Sequence, residues 1–167
     1  MRYRYDSLFK FYAEKYGLDW RLIKRQAEVE SSLRPDAISP AGAVGLMQFM
    51  PATWREYGHG RRDNPEESIK AGCRYMSRLL SLWDEIPDET ERFKFALASY
   101  NAGRQNIRLC AGEARKAFGA PYTYAEWDRA GRKPGPWQEW EVTSRFLSLV
   151  TGRHAIETIN YVAKIMG

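Results

Sequence analysis

Apolar residues along this chain recur mostly at intervals of three and four, and strictly alternating runs are scarce, so the pattern predicts a mainly α fold. Asp6 is placed to cap a first helix that runs to Tyr16 and stops at Gly17. Asp19 opens a second, on which Trp20, Ile23, Ala27 and Glu30 fall in one stripe, and Pro35 closes it. Further helices are predicted over 65–83, about 90–100, 104–118 and about 153–165, with Asn101 and Gly103 as a helix stop. Residues 119–141 break the pattern: Pro121, Gly131, Pro134, Gly135 and Pro136 interrupt any long helix, while Tyr122, Tyr124, Trp127, Trp137 and Trp140 add large rings. This stretch reads as an irregular excursion, either a wall of aromatic faces for a ligand or a loop that packs its own rings. No repeat and no flexible linker is apparent, so residues 1–167 are expected to form a single domain.

The stripe carries an acid. Glu30 lies in line with apolar residues and is expected to be at least partly buried, whereas Glu28, roughly 200° round the same helix, should face water. Burial without a cationic partner favours the protonated carboxyl, the form a general acid needs. After Glu30 the residues from 35 to 45 are mostly small, a composition whose backbone can approach a ligand closely, and Leu46, Met47 and Phe49 then supply apolar anchors. Gln48, among Met47 and Met50, can hydrogen-bond an amide or hydroxyl. Tyr100 and Asn101 close a helix with their polar tips free, and Glu157 and Tyr161, four residues apart, either bond one another or sit together beside a cleft. Taken singly, each of these features is explained as well by a helix stop or a core position.

Composition narrows the classes without choosing one. The chain is 44% hydrophobic and 28% charged, as an ordinary globule is, and its longest apolar runs are far too short to span a membrane. The opening MRYRYDSLFK lacks the apolar core of a signal peptide, so either the general export route is not used or a leader has been removed. Net charge is +5, with a pI near 9.2, but the basic residues are dispersed among acids, so a solvated surface is expected rather than a nucleic-acid patch. Cys73 and Cys110 can pair or stay free, free packed thiols being the expectation, and with His59 and His154 isolated no metal site is predicted. Asp36, flanked by Pro35 and Arg34, reads as a turn residue in a solvent-side ion pair.

Taken together and in order, Glu30-Ser31, Ser39 with Gly42-Ala43, Gly45 to Gln48 followed by Met50 to Thr53, Tyr100 to Gly103, and Glu157 to Val162 resemble the soluble lytic transglycosylase family of peptidoglycan-cleaving enzymes. The resemblance runs from about residue 19 to 164 and is weakest in the aromatic segment before Trp140. It implies a lysozyme-like helical domain of the goose type, with Glu30 as the catalytic acid and base, and Ser39, Gln48, Met50, Tyr100, Asn101, Glu157 and Tyr161 lining or supporting a glycan cleft. It further implies peptidoglycan glycan strands as partner, action at the periplasmic cell wall, no cofactor, no nucleic acid and a monomer. The route to the wall stays open between phage release and a trimmed bacterial domain, with the phage type favoured.

Glycosidases usually pair the acid with a second carboxylate flanking the scissile bond, and no compelling partner for Glu30 is evident. With one carboxylate, the substrate supplies the nucleophile. In the family mechanism this is the C6 hydroxyl of N-acetylmuramic acid, giving a 1,6-anhydro end. A muramidase using water on the same scaffold, and a catalytically silent glycan-binding module, are the alternatives.

Overall fold

Asp19 accepts a hydrogen bond from the Arg21 N–H at 2.8 Å, and a helix starts where the apolar stripe begins. The computed structural model describes residues 4–120 and 122–167; Pro121, one of the expected breakers, and residues 1–3 of the opening segment lie outside them. The chain divides into two compact units, 1–77 and 78–167. Both are helical, and among the described residues extended pairing is limited to isolated bridges.

The first unit holds α1 (Asp6–Lys15), α2 (Trp20–Ser31), α3 (Pro51–Tyr57) and most of α4 (Pro65–Ser81). Phe9 and Ala13 of α1 pack with Ile23 and Ala27 of α2 in a core without solvent contact. Glu30 ends the same stripe half-buried and Glu28 is exposed, as the spacing predicts. Asp6 does not cap. It is the first helical residue of α1, and its carboxylate is drawn to Lys24 on α2 at 2.5 Å, a charge partner that wins over the helix's own N–H groups. Helix α3 was not anticipated: at seven residues it is too short for a periodic signal, although Pro51 stands at its start, where proline is at home.

In the second unit, α5 (Glu89–Ala102) is capped by Asp88, which accepts the Glu91 N–H at 2.9 Å, and Gly103 at φ +87° ends it and admits α6 (Arg104–Phe118). Helix α5 packs against α6 and against α10 (Ala155–Met166). Between them lie α7 (Tyr124–Arg129), a 3₁₀ turn at Pro136–Gln138, α8 (Trp140–Thr143) and α9 (Leu147–Thr151). Trp137 is fully buried, and the Phe95 ring meets Trp137 and Trp140 edge-on at 6.4 and 5.5 Å. Among the described residues, these two tryptophans are buried against a ring of α5 and not against rings of their own segment, while Tyr124 is left at the surface. Cys73 and Cys110 are free and buried, and desolvation pushes their thiols up to about 12 and about 11.

Candidate functional site

Glu30 sits in the last turn of α2, and the residue after it joins that turn to the next motif. The Ser31 hydroxyl lies 3.1 Å from the Ala27 carbonyl and 2.9 Å from that of Leu46, tying the acid's helix to the Gly-Leu-Met-Gln turn. The chain leaves α2 through Ser32 and Leu33, both left-handed at φ 54° and 57°, a conformation that costs a non-glycine residue roughly 1–2 kcal/mol and persists only where the surroundings enforce it. Val44 then forms antiparallel bridges to both Ile38 and Phe49.

The loop is held from outside as well. An Arg62 Nη1–H group donates to the carbonyls of Gly42 at 3.0 Å and Phe49 at 2.9 Å, and Ser68 Oγ accepts the Met47 N–H at 3.2 Å. Gly45, at φ +89°, brings its backbone so near Arg62 that a Cβ there would lie 2.0 Å from the Arg62 carbonyl oxygen. No other residue fits. Two motif residues are partly used in this bracing: Ser39 Oγ accepts the Ala43 N–H at 3.0 Å, and Gln48 Nε2 donates to the carbonyls of Ala37 and Gly45 at 3.1 and 2.9 Å. Met50, 41% exposed, immediately precedes α3. The expected Arg34–Asp36 ion pair is absent among the described residues, because the Arg34 Nε–H turns back to the Ser31 carbonyl at 3.3 Å.

The other predicted residues lie in the second unit. Tyr100 and Asn101 occupy the last turn of α5, where Asn101 Oδ1 accepts the Thr158 hydroxyl of α10 at 2.8 Å. Asn101 and Glu157 line one pocket of about 290 Å³ with Asn106, Thr151, His154 and Thr158. Glu157 is exposed, 3.6 Å from His154 Nδ1, whereas Tyr161 is 6% exposed and belongs to the core. The structure thus brings Asn101 and Glu157 together and assigns Tyr161 the inner side of α10. No local pattern marks Ser31, Arg62, Ser68 and Thr158 as braces, because the partners they brace lie 13 to 57 residues away.

The profile of the transglycosylase SLT domain matches residues 7–120, which include Glu30, the braced loop and Tyr100-Asn101. The chain belongs to the SLT transglycosylase domain family. Among similar proteins is the membrane-bound lytic murein transglycosylase F of Marinobacter nauticus, 36% identical over 156 residues, covering 86% of this chain and 28% of that protein. The protein of the same description from Alcanivorax borkumensis is 44% identical over 136 residues, covering 81% of this chain and 26% of that protein. This SLT domain therefore spans about a quarter of the length of the curated relatives it matches. It also resembles the crystal structure of an inactive mutant of the lytic transglycosylase Slt from Pseudomonas aeruginosa, with a TM-score of 0.65 at 20% identity over 98% of this chain and 23% of that one. At that identity the likeness establishes the fold, a lysozyme-like helical one.

Proposed function

We propose that this SLT domain is a peptidoglycan lytic transglycosylase that cleaves the bond between N-acetylmuramic acid and N-acetylglucosamine at the cell wall, with Glu30 as its single acid and base. The observation that carries this reading is the seating of Glu30: a half-buried carboxylate on a helix end that Ser31 ties to a loop braced by Arg62 and Ser68. A positioned acid loses little geometry when the reaction begins. The family and the printed descriptions of its relatives support the same activity.

In this mechanism the Glu30 carboxyl protonates the glycosidic oxygen as it leaves the muramic acid C1. The acetamido group steadies the positive charge at C1. The C6 hydroxyl then attacks C1, and the Glu30 carboxylate takes its proton, so the acid is regenerated and no water is consumed. Met50 and the Gln48 side-chain oxygen contact the sugar, and Ser39 holds the turn that presents them; in the second unit Tyr100, Asn101 and Glu157 are the polar groups the family motifs supply, and Tyr161 supports α10 from within.

The test is digestion of purified peptidoglycan in heavy-oxygen water followed by mass analysis of the muropeptides. Anhydro ends without label are expected. Stoichiometric label at the new reducing end would establish a muramidase instead. Glu30→Gln keeps the shape but cannot cycle a proton, so turnover should fall roughly 10² to 10⁴-fold at unchanged melting temperature. Retention of a tenth of wild-type activity by the folded variant would remove Glu30 from its role.

A further inference from the structure

A second feature of the first unit lies on the opposite side of the α2 end from the acid. Glu28, roughly 200° from Glu30 on the helix, forms one wall of an open pocket of about 810 Å³ completed by Arg4, Tyr5, Leu33, Arg34 and Asp36. The lining is unusual in its charges. It holds two cations and two anions, and among the described residues none of the four makes an ion pair. The Arg34 Nε–H is engaged by the Ser31 carbonyl at 3.3 Å, which fixes the guanidinium at the pocket and leaves its terminal nitrogens as donors. Tyr5 is buried in the wall, and its hydroxyl has no hydrogen-bond partner among the described residues, a state that buried polar groups seldom keep.

Unpaired charges of both signs around one pocket suit a ligand that itself carries carboxylates and an amine, since a simple anion would be repelled by Glu28 and Asp36 and a simple cation by Arg4 and Arg34. Peptidoglycan supplies such a ligand. Each muramic acid bears a short peptide stem with several carboxylates and, at its diamino acid, a free amine when not cross-linked. Reach is sufficient: four extended residues span roughly 14 Å, against a helix about 10–12 Å across with its side chains. A stem leaving a sugar held at Glu30 can therefore pass round the end of α2 to the Glu28 side.

We propose that this pocket is a subsite for the peptide stem of peptidoglycan, taking stem carboxylates on Arg4 and Arg34 and the free amine on Glu28 and Asp36, with the alanine methyl groups against Leu33 and Tyr5. The proposal rests on the transglycosylase reading above and extends it, because it makes the stem as well as the glycan part of what the domain recognises.

The direct test is calorimetric titration of the free tetrapeptide, L-alanyl-γ-D-glutamyl-meso-diaminopimelyl-D-alanine, into wild type, Arg34→Gln and Asp36→Asn. Saturable binding to wild type is expected, weakened roughly tenfold in each variant and by added salt, as charge-assisted contacts require. Absence of binding, or equal binding to all three proteins, would overturn the subsite. Should Arg34→Gln melt early through its lost bond to Ser31, Asp36→Asn decides the matter, since Asp36 is exposed and its side chain makes no bond to the described residues. A second measurement compares cleavage of stem-bearing strands with strands stripped by an amidase: the preference of wild type for the former should shrink toward one in both variants. Cleavage of stripped strands by wild type scores the transglycosylase reading by itself, so failure of either idea is visible without the other.

Discussion

Two stretches of this chain, 35–50 and 119–143, share a composition of glycine, proline and interspersed large side chains, and each is fastened by a glutamine amide. The fastenings differ. Gln138 is fully buried and uses both ends: its Oε1 accepts the N–H groups of Tyr122 and Gly135 at 3.1 and 3.0 Å, and its Nε2 donates to the carbonyls of Glu85 and Tyr122 at 2.8 and 3.0 Å. Gln48 is half-buried, and the bonds that fix its loop use the nitrogen alone. A saturated, buried amide is scaffold and nothing else, whereas one with an acceptor left over can hold a loop and meet a ligand at once. Composition does not separate the two stretches; the count of hydrogen bonds already satisfied does.

The largest expected effect tests the scaffold side. Gln138→Leu keeps the volume but leaves two N–H groups and two carbonyls without their partner, a loss of about 4 kcal/mol when each unmet group costs on the order of 1 kcal/mol or more. The melting temperature should drop roughly 10 °C while activity per folded molecule holds. A drop of only a degree or two would show that the aromatic segment is held by its buried tryptophans alone, and the contrast with Gln48 would lose its basis.

A matched pair of glycines sharpens the contrast next. Gly45 and Gly119 share a φ of +89°, a value L side chains rarely adopt, so alanine meets backbone strain in both places, on the order of 1–3 kcal/mol. Their surroundings differ: a Cβ on Gly119 meets nothing within 4 Å, but one on Gly45 runs into the Arg62 carbonyl. Gly119→Ala should therefore cost about 1 kcal/mol and leave turnover alone. Gly45→Ala should cost about 3 kcal/mol, because strain and displacement add, and turnover per folded molecule should fall with the shifted loop. Denaturant melts with parallel turnover assays read both quantities, and equal costs at the two sites would mean that the close approach to Arg62 relaxes freely.

What the sequence made legible follows from range. The Asp19 cap, the stripe through Ile23 and Ala27, the exposed Glu28 and the Gly103 stop depend on residues within a turn or two of one another, and the structure has each of them. Asp6 misled because its carboxylate finds a partner 18 residues away in Lys24, and a cap signature is blind to such competition. The Thr123/Glu126 capping box is local, and it starts the six-residue α7 inside a stretch whose glycines and prolines predict no helix. Glu30, Gln48 and Asn101 could be named from motif order, while the bonds that seat them, Ser31 to Leu46 and Thr158 to Asn101, cross 15 and 57 residues and leave no local trace. The charged pocket beyond Glu28 was hidden for the same reason, since Arg4 and Asp36 meet only in the fold.

The smallest expected change in stability is the most discriminating for the loop. Gln48→Met retains length and flexibility but removes the donor to Ala37 and Gly45 and the leftover acceptor together. Each of the two carbonyls keeps a backbone donor, the Gly45 N–H for Ala37 at 3.0 Å and the Gln48 N–H for Gly45 at 3.2 Å, so stability should fall by only about 1 kcal/mol, well short of the Gln138→Leu effect. Turnover is the separate readout. If the Gln48 oxygen meets the sugar, kcat/KM should fall more than tenfold with little thermal change, because the missing bond matters in the reacting complex and not in the free protein. A thermal loss equal to that of Gln138→Leu, with kcat/KM per folded molecule unaltered, would make the two glutamines alike, turn Gln48 into scaffold, and leave Met50 as the side chain this loop offers a glycan beside Glu30 of α2.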